Sequence, residues 1–323
     1  MNFKQNIFSK LSGKSFLLLF VFHLPFSIFH LTYGQQHPLY SQYMFNRMAI
    51  NPAYAGSKNA LSTTLLLRNQ WVGIDGAPTT QTLTVHSPIN SKKIGLGLSV
   101  FGDQIGPRKM TGVAGTYSYR ITLPQGKLAM GVRFGFYQYV YNWALIDHLD
   151  NGDPVYGQTT NRFYVPSADA GIYFHNDKLF AGVSSTQMLN GRITDVKTAN
   201  GDNAHLVPHF FVIAGYGFEV KENVVLNPGF SLRTAQGSPV NVDVNFNAQF
   251  HKKFWLGVSY RSRFGIVLLS RFAITEKMNI GYSFDYGLDP LTRNTFGSHE
   301  IVVEYNFRSL SKSKVLSPRY FYF

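Results

Sequence analysis

The chain has 323 residues, with 30 Lys and Arg against 17 Asp and Glu for a formal charge of +13, and it contains no cysteine. The missing cysteine excludes a disulfide-stapled scaffold and a lipid anchor on an N-terminal Cys. The bases are spread along the sequence without a basic block. That argues against nucleic acid and leaves lipid head groups, an acidic protein face or plain solvation to answer the excess.

Lys4, Lys10 and Lys14, with no acid among them, precede the apolar run 16–22, and Thr32, Tyr33 and Gly34 put small residues where a signal peptidase cuts. Residues 1–34 therefore read as a cleaved secretory signal. An uncleaved anchor helix is the weaker reading, because the run is short and holds Pro25, His23 and His30. Cleavage removes three lysines and no acid, leaving +10 on residues 35–323. An exported chain without cysteine needs another device to hold it, and a closed barrel with every ladder bond made is one. No second apolar run of about 18 residues occurs, so further helical spans are excluded.

Residues 35–59 are polar and aromatic, do not alternate, and are punctuated by Pro52 and Gly56; they read as a short pre-barrel segment. Within it, turn chemistry alone would select Asn51 as a cap, Pro52 for its fixed φ and Gly56 for a positive φ. The sharper alternative is that the segment tucks into a lumen or covers the periplasmic mouth, where it meets a partner.

From 60 to 307 the pattern alternates. Strands are predicted at 61–71 and 80–86, then at 93–103 and 111–123. The strand at 127–142 sets Leu128, Met130, Val132, Phe134 and Phe136 against Ala129, Gly131, Arg133 and Gly135, whose small size leaves room in a lumen. Two long loops, 146–164 and 190–207, flank strands at 167–176 and 179–188, and 208–220 pairs with 224–234. The clearest strand is 240–251, VNVDVNFNAQFH, where period two holds without exception, as only an extended chain with one apolar and one wet face requires. Strands at 253–262, 264–275, 277–287 and 299–307 follow, and 308–323 reads as a tail.

The class is all-β: a transmembrane outer-membrane β-barrel of about 14 antiparallel strands, with short turns and longer loops at opposite ends. Twelve residues at 240–251 exceed the roughly 9–11 that a tilted membrane strand needs. The 28 Phe and 19 Tyr, among them Tyr282, Phe284 and Tyr286 near a strand end, fit aromatic girdles. A soluble β-sandwich is the alternative. Arg120, Arg133, Arg233, Asp243, Arg261, Arg271, Asp285, Glu300 and Glu304 fall on the wet face. An Arg on the lipid side at mid-membrane costs roughly 2–4 kcal/mol, so these charges are expected to line the lumen, either paired in a ladder or solvated by lumen water.

Chemistry is weakly indicated elsewhere. Asp147, Asp150, Asn151, Gly152 and Asp153 gather oxygen ligands but lack the distal bidentate Glu of a calcium loop, so they read as an Asx-turn surface loop. Ser298 and His299 are adjacent and point to opposite faces of a strand, which argues against a hydrolase pair. Gly95-Leu96-Gly97 is followed by no helix to cap a phosphate. No catalytic set, metal or cofactor is expected.

Residues 36–57, QHPLYSQYMFNRMAINPAYAGS, resemble the start of the mature PorP/SprF family, integral outer-membrane proteins of the type IX secretion system. Ser41, Gln42 and Tyr43 match its SQY-like triplet, and Asn51, Pro52, Ala53, Tyr54, Ala55, Gly56 and Ser57 its NPA-aromatic-AG-S motif. Arg68, Asn69, Gln70 and Trp71, then Gly76, Ala77, Pro78 and Thr80, resemble the next block; Gly297 to Glu300 and SPRYF at 317–321 resemble its end. The departures are His37, where an acid is common, and Tyr322 and Phe323, which run past SPRYF. The resemblance implies a non-enzymatic partner-binding role. Such a barrel would bind a secreted cargo protein, an adhesin or a gliding-related protein, and assist its secretion or surface attachment beside other secretion-system components. An uptake channel for small or hydrophobic solutes is the alternative, and an outer-membrane hydrolase comes last. Specificity is expected in the two long loops, because loops carry recognition.

Overall fold

The computed structural model describes residues 38–58, 60–89, 93–145, 160–189, 191–197, 203–289 and 292–307, all within the compact unit 36–323. The leader 1–34, the oxygen-rich stretch Asp147 to Asp153 and the tail 308–323 lie outside the described residues. In chain order the strands are β1 (Ser62–Asn69), β2 (Thr79–Ile89), β3 (Ile94–Ile105), β4 (Arg108–Leu123), β5 (Gly126–Asn142), β6 (Thr160–His175), β7 (Leu179–Thr186), β8 (Arg192–Lys197) and β9 (Asn203–His205). They continue as β10 (His209–Tyr216), β11 (Phe218–Lys221), β12 (Val224–Ala235), β13 (Asn241–Phe250), β14 (Phe254–Arg261), β15 (Gly265–Ala273), β16 (Met278–Gly287) and β17 (Ser298–Asn306).

Fourteen of these close into one antiparallel barrel: β1–β7, β10 and β12–β17. Closure is made by β1 on β17, from Ser62↔Asn306 to Asn69↔His299, and by β10 on β12, from His209↔Ala235 to Gly215↔Gly229. With both seams paired, the ladder runs round the barrel, which is what a hydrocarbon surround demands. Among the described residues no helix is long and apolar enough to cross a membrane; the strands cross instead. In β13, Val242, Val244 and Phe246 face outward, Val244 at 54% exposure, while Asp243, Asn245, Asn247 and Gln249 are buried inside. In β5, Phe134 and Phe136 face outward and Ala129, Arg133 and Tyr137 inward. Tyr282 and Tyr286 lie on the outer face of β16.

Connections at one end are short: 124–125, 176–178, 222–223, 251–253 and 274–277. The other end carries the connections 143–159, 187–208 and 288–297. By the rule for such barrels the first end is periplasmic and the second faces outside.

Three readings are corrected. β6 begins at Thr160, so 160–166 is strand and not loop, paired to β5 from Asn142↔Thr160 to Phe136↔Pro166. Phe163 and Val165 point in while Tyr164 and Pro166 point out, so both faces are apolar and the two-faced signal disappears. Within 190–207, β8 and β9 pair as a separate hairpin. The predicted strand 208–220 is interrupted at Gly217, with β10 before it and β11 after.

The room left by small inward residues is occupied. Residues 38–58 lie inside the barrel with two 3₁₀ turns, Arg47–Ala49 and Pro52–Tyr54. Tyr40, Tyr43, Phe45, Met48, Ile50 and Tyr54 of this plug form one buried cluster with the wall residues Leu66, Tyr173, Phe180, Phe211, Trp255 and Leu269.

Candidate functional site

The plug runs down the lumen from the loop end to the turn end. Pro38, Leu39 and Tyr40 line a cavity of about 40 Å³ with Arg233, Asp243 and Arg261, and a second of about 20 Å³ lies between Tyr40, Ala49 and Arg133. Each is about the space one water takes.

The SQY triplet meets carboxylates. Ser41 N donates to Glu300 Oε2 at 2.9 Å and Gln42 N to Glu300 Oε1 at 2.8 Å, while Gln42 Nε2 donates to the Glu300 carbonyl at 3.0 Å. Ser41 Oγ donates to Asp285 Oδ2 at 2.6 Å. Arg68 ties both acids together, 2.7 Å from Asp285 and 3.3 Å from Glu300, and donates to Ser41 Oγ at 2.8 Å. Arg261 pairs with Asp243 at 2.9 Å and Asp285 at 3.5 Å and donates to the Tyr40 carbonyl. Tyr43 Oη accepts from Asn245 Nδ2 at 2.5 Å. A buried carboxylate is tolerable when it is paired and hydrogen-bonded: Glu300 has both oxygens engaged, and Asp285 holds its ion pairs through Oδ2.

Lower down, Arg133 pairs with Asp169 at 2.5 Å and donates to the carbonyls of Met48 and Ala49 at 3.0 and 3.2 Å. Arg271 is 3.2 Å from Glu304 and stands over the rings of Phe45 and Trp255. Lys58 closes the lower end at 2.5 Å from Glu304. Burial lowers the Lys58 pKa to about 8, and the Glu304 carboxylate opposes that shift. Eight of the nine expected lumen charges thus pair with one another or bind the plug. Arg233 faces inward, half-buried, and makes no ion pair among the described residues.

The NPAYAG stretch is a turn and an anchor at once. Asn51 Oδ1 caps the second 3₁₀ turn by accepting from Ala53 N at 2.9 Å, and Pro52 is that turn's first residue. Asn51 Nδ2 donates to the wall carbonyls of Ile172 and Val183 at 3.0 and 3.4 Å. Ala55 O accepts from Ser118 Oγ at 2.7 Å and from Arg120 at 3.0 Å. Gly56, at φ +70°, donates its N–H to His86 Nδ1 at 3.1 Å. Tyr54 sets its ring edge-on to Tyr173 and His86, and Arg47 covers Phe180 at 4.0 Å. The wall meets this stretch with glycines: a Cβ at Gly95 would strike the Ala55 carbonyl, and one at Gly131 would strike Ala53.

The family profile for type IX secretion system membrane protein PorP/SprF matches residues 32–305 of this chain. The chain belongs to the PorP/SprF family. No curated protein matches its sequence. Solved structures similar to it include the CymD monoaromatic hydrocarbon channel, at 12% identity and TM-score 0.49 over 85% of this chain and 95% of that one. A Pseudomonas aeruginosa FadL homologue follows at 10% and 0.45 over 85% and 96%, and Acinetobacter baumannii Omp33 at 11% and 0.44 over 77% and 100%. PorP/SprF membership and the closed barrel assign the protein to the outer membrane of a Gram-negative bacterium.

In this PorP/SprF barrel the second motif block is divided between lumen and rim. Arg68 points into the acid cluster, whereas Gln70 N donates to the Pro78 carbonyl at 2.9 Å and closes the β1–β2 loop. Trp71, at φ +51°, donates its N–H to Ser298 Oγ at 3.0 Å, and Gly76, at φ +71°, accepts through its carbonyl from Gly106 N at 2.8 Å. These bonds knit three neighbouring loops of the outer rim. Ser298 is buried while His299 faces out, its Nδ1 2.7 Å from Tyr282 Oη. Among the described residues no three His, Asp or Glu side chains stand close enough to share a metal. Sequence reasoning missed Arg47, His86, Ser118 and Asp169 as plug or ladder contacts; the inward parity of the last three is the signal that marks them.

Proposed function

We propose that this PorP/SprF barrel binds a secreted cargo protein at its outward loops and assists that protein's secretion or surface attachment together with other type IX secretion components. The observation that supports it is a family member whose lumen is filled by its own residues 38–58, with cavities of about 40 and 20 Å³ beside them. Among the described residues the inner wall is engaged by the chain's own segment, which weighs against the uptake channel and turns recognition to the rim. In this reading residues 1–34 are the export leader. Gln42, Tyr43, Asn51, Pro52, Ala53, Tyr54 and Gly56 seat the plug, and Gln70, Trp71, Gly76 and Pro78 shape the rim beside the cargo. The protein acts by binding and catalyses nothing.

The test is a mild-detergent pull-down of the tagged protein from its native outer membrane, with mass spectrometry of what accompanies it and planar-bilayer recording of the purified barrel. A large exported protein and secretion components in the eluate, with a silent bilayer, is the expected result. A barrel that elutes alone and conducts ions or solutes would replace this reading with the channel.

A further inference from the structure

The outer wall of β2–β6 carries rows of outward residues in lateral register. One row is Gln81–Gly102–Thr111–Gln138–Tyr164, each paired to the next across the sheet. One step toward the turn end the same strands present Leu83–Val100–Val113–Phe136. One step toward the loop end the row is Thr79–Gln104–Lys109–Val140–Arg162, with Val140 between the two cations. Polarity thus rises from the apolar row to the two above it, with Val140 the one apolar residue among those named there. Apolar side chains meet acyl chains and polar ones meet head groups, so the membrane boundary of the outer leaflet passes between them.

A groove of about 710 Å³ straddles that boundary. Its floor is Leu65, Leu83, Val100, Val113 and Phe136, and its upper wall holds Gln81, Gln104, Lys109, Gln138 and Tyr164. The depression arises at Gly102, which has no side chain beside the short Thr111. Gln138 Nε2 donates to Tyr164 Oη at 2.7 Å and fixes the far wall. Lys109 and Arg162 are both exposed, and the nearby carboxylate, Asp103, is turned inward to Thr80 and Arg108. Among the described residues the wall therefore offers an apolar trough topped by amides and Lys109, with Arg162 two strands along the same row and no outward acid beside them. That is the complement of an amphiphile with acyl chains and an anionic, hydroxyl-rich head group.

We propose that this groove binds one phosphorylated glycolipid of the outer leaflet, an acyl chain lying against Leu83, Val100, Val113 and Phe136 and the phosphate-bearing sugars against Lys109, Arg162, Gln104 and Gln81. The site goes beyond the cargo reading and stands independently of it.

Purified protein in dodecyl maltoside is incubated with purified lipopolysaccharide or with phosphatidylethanolamine, and the lipid kept per barrel is read by native mass spectrometry. Gly102→Leu fills the trough from outside; its Cβ would meet only a Thr111 methyl at 4.0 Å, so the barrel is expected to fold, checked by heat-shifted migration on a gel. Lys109→Glu with Arg162→Glu removes the cations and leaves the trough. The expected result is one lipopolysaccharide per wild-type barrel, about tenfold less on each variant, and no matching retention of phosphatidylethanolamine. Equal retention by folded Gly102→Leu, or equal retention of both lipids, overturns the proposal. So does a photo-crosslinker at Gln104 that captures a protein and no glycolipid in intact cells.

Discussion

Glu300 is fully buried, and both its carboxylate oxygens are taken by main-chain N–H groups of the plug, with Arg68 3.3 Å away. Arg68 is the sole strand cation that touches Ser41, Asp285 and Glu300 together among the described residues. Removing one partner from such a set leaves charge stranded out of water. Arg68→Met is therefore expected to destabilise the barrel by about 3–5 kcal/mol, read as a lower urea midpoint for unfolding from detergent micelles. Adding Glu300→Gln should recover part of the loss, because the stranded acid is then neutral; an unchanged midpoint for Arg68→Met would contradict the pairing. A second residue-scale outcome concerns Gly95, where a Cβ strikes the Ala55 carbonyl. Gly95→Val should leave a closed barrel whose lower plug is displaced, so that limited proteolysis cuts between 46 and 58 at least about tenfold faster than in the wild type, in proportion to the open population. Equal protection of both proteins would mean that the plug accommodates the methyl groups.

At the scale of elements, the plug is the seal. Deleting residues 36–57 removes the plug groups that Glu300, Asp285, Arg68, Arg133 and Arg120 bind, and the emptied lumen should fill with water. The truncated barrel is expected to conduct ions in a planar bilayer where the full chain is silent, and a silent truncated barrel would assign closure to something other than this segment. The strands were legible because one face meets lipid and the other does not, so β13 and β5 state their register in period two. The upper part of β6 was not, since Phe163 and Val165 pack inward against β5 while Tyr164 points out. The seat of the plug was hidden for another reason. Its contacts join Ser41 to Glu300 across 259 positions and Asn51 to Ile172 across 121, and no local pattern encodes such a pairing. Gly131 showed as a small residue with room beside it, but what fills the room is set by closure of the whole sheet.

For the whole molecule, the asymmetry of the two ends decides where a partner can be read. The turn end is made of connections such as 124–125 and 222–223, too short to present more than a few side chains, and bears Lys127, Lys178, Lys221, Lys252, Lys253 and Lys277. The loop end carries 143–159 and 187–208, the second including the β8–β9 hairpin, on a rim stiffened by the bonds of Trp71, Val72 and Gly76 to the neighbouring loops. A rigid rim with long loops is the usual way a barrel holds variable recognition on a fixed frame. With the lumen filled, the proposed cargo reading puts discrimination between exported proteins at this end. Exchanging 143–159 and 187–208 together for the corresponding loops of another PorP/SprF barrel should therefore change which exported protein co-purifies, with strand pairing and heat-shifted migration unaltered. Exchanging the connections 222–223 and 251–253 instead should leave the bound protein the same. If both long loops are replaced and the original cargo still elutes with the barrel, recognition belongs to the plug or the outer wall, and the loop assignment falls.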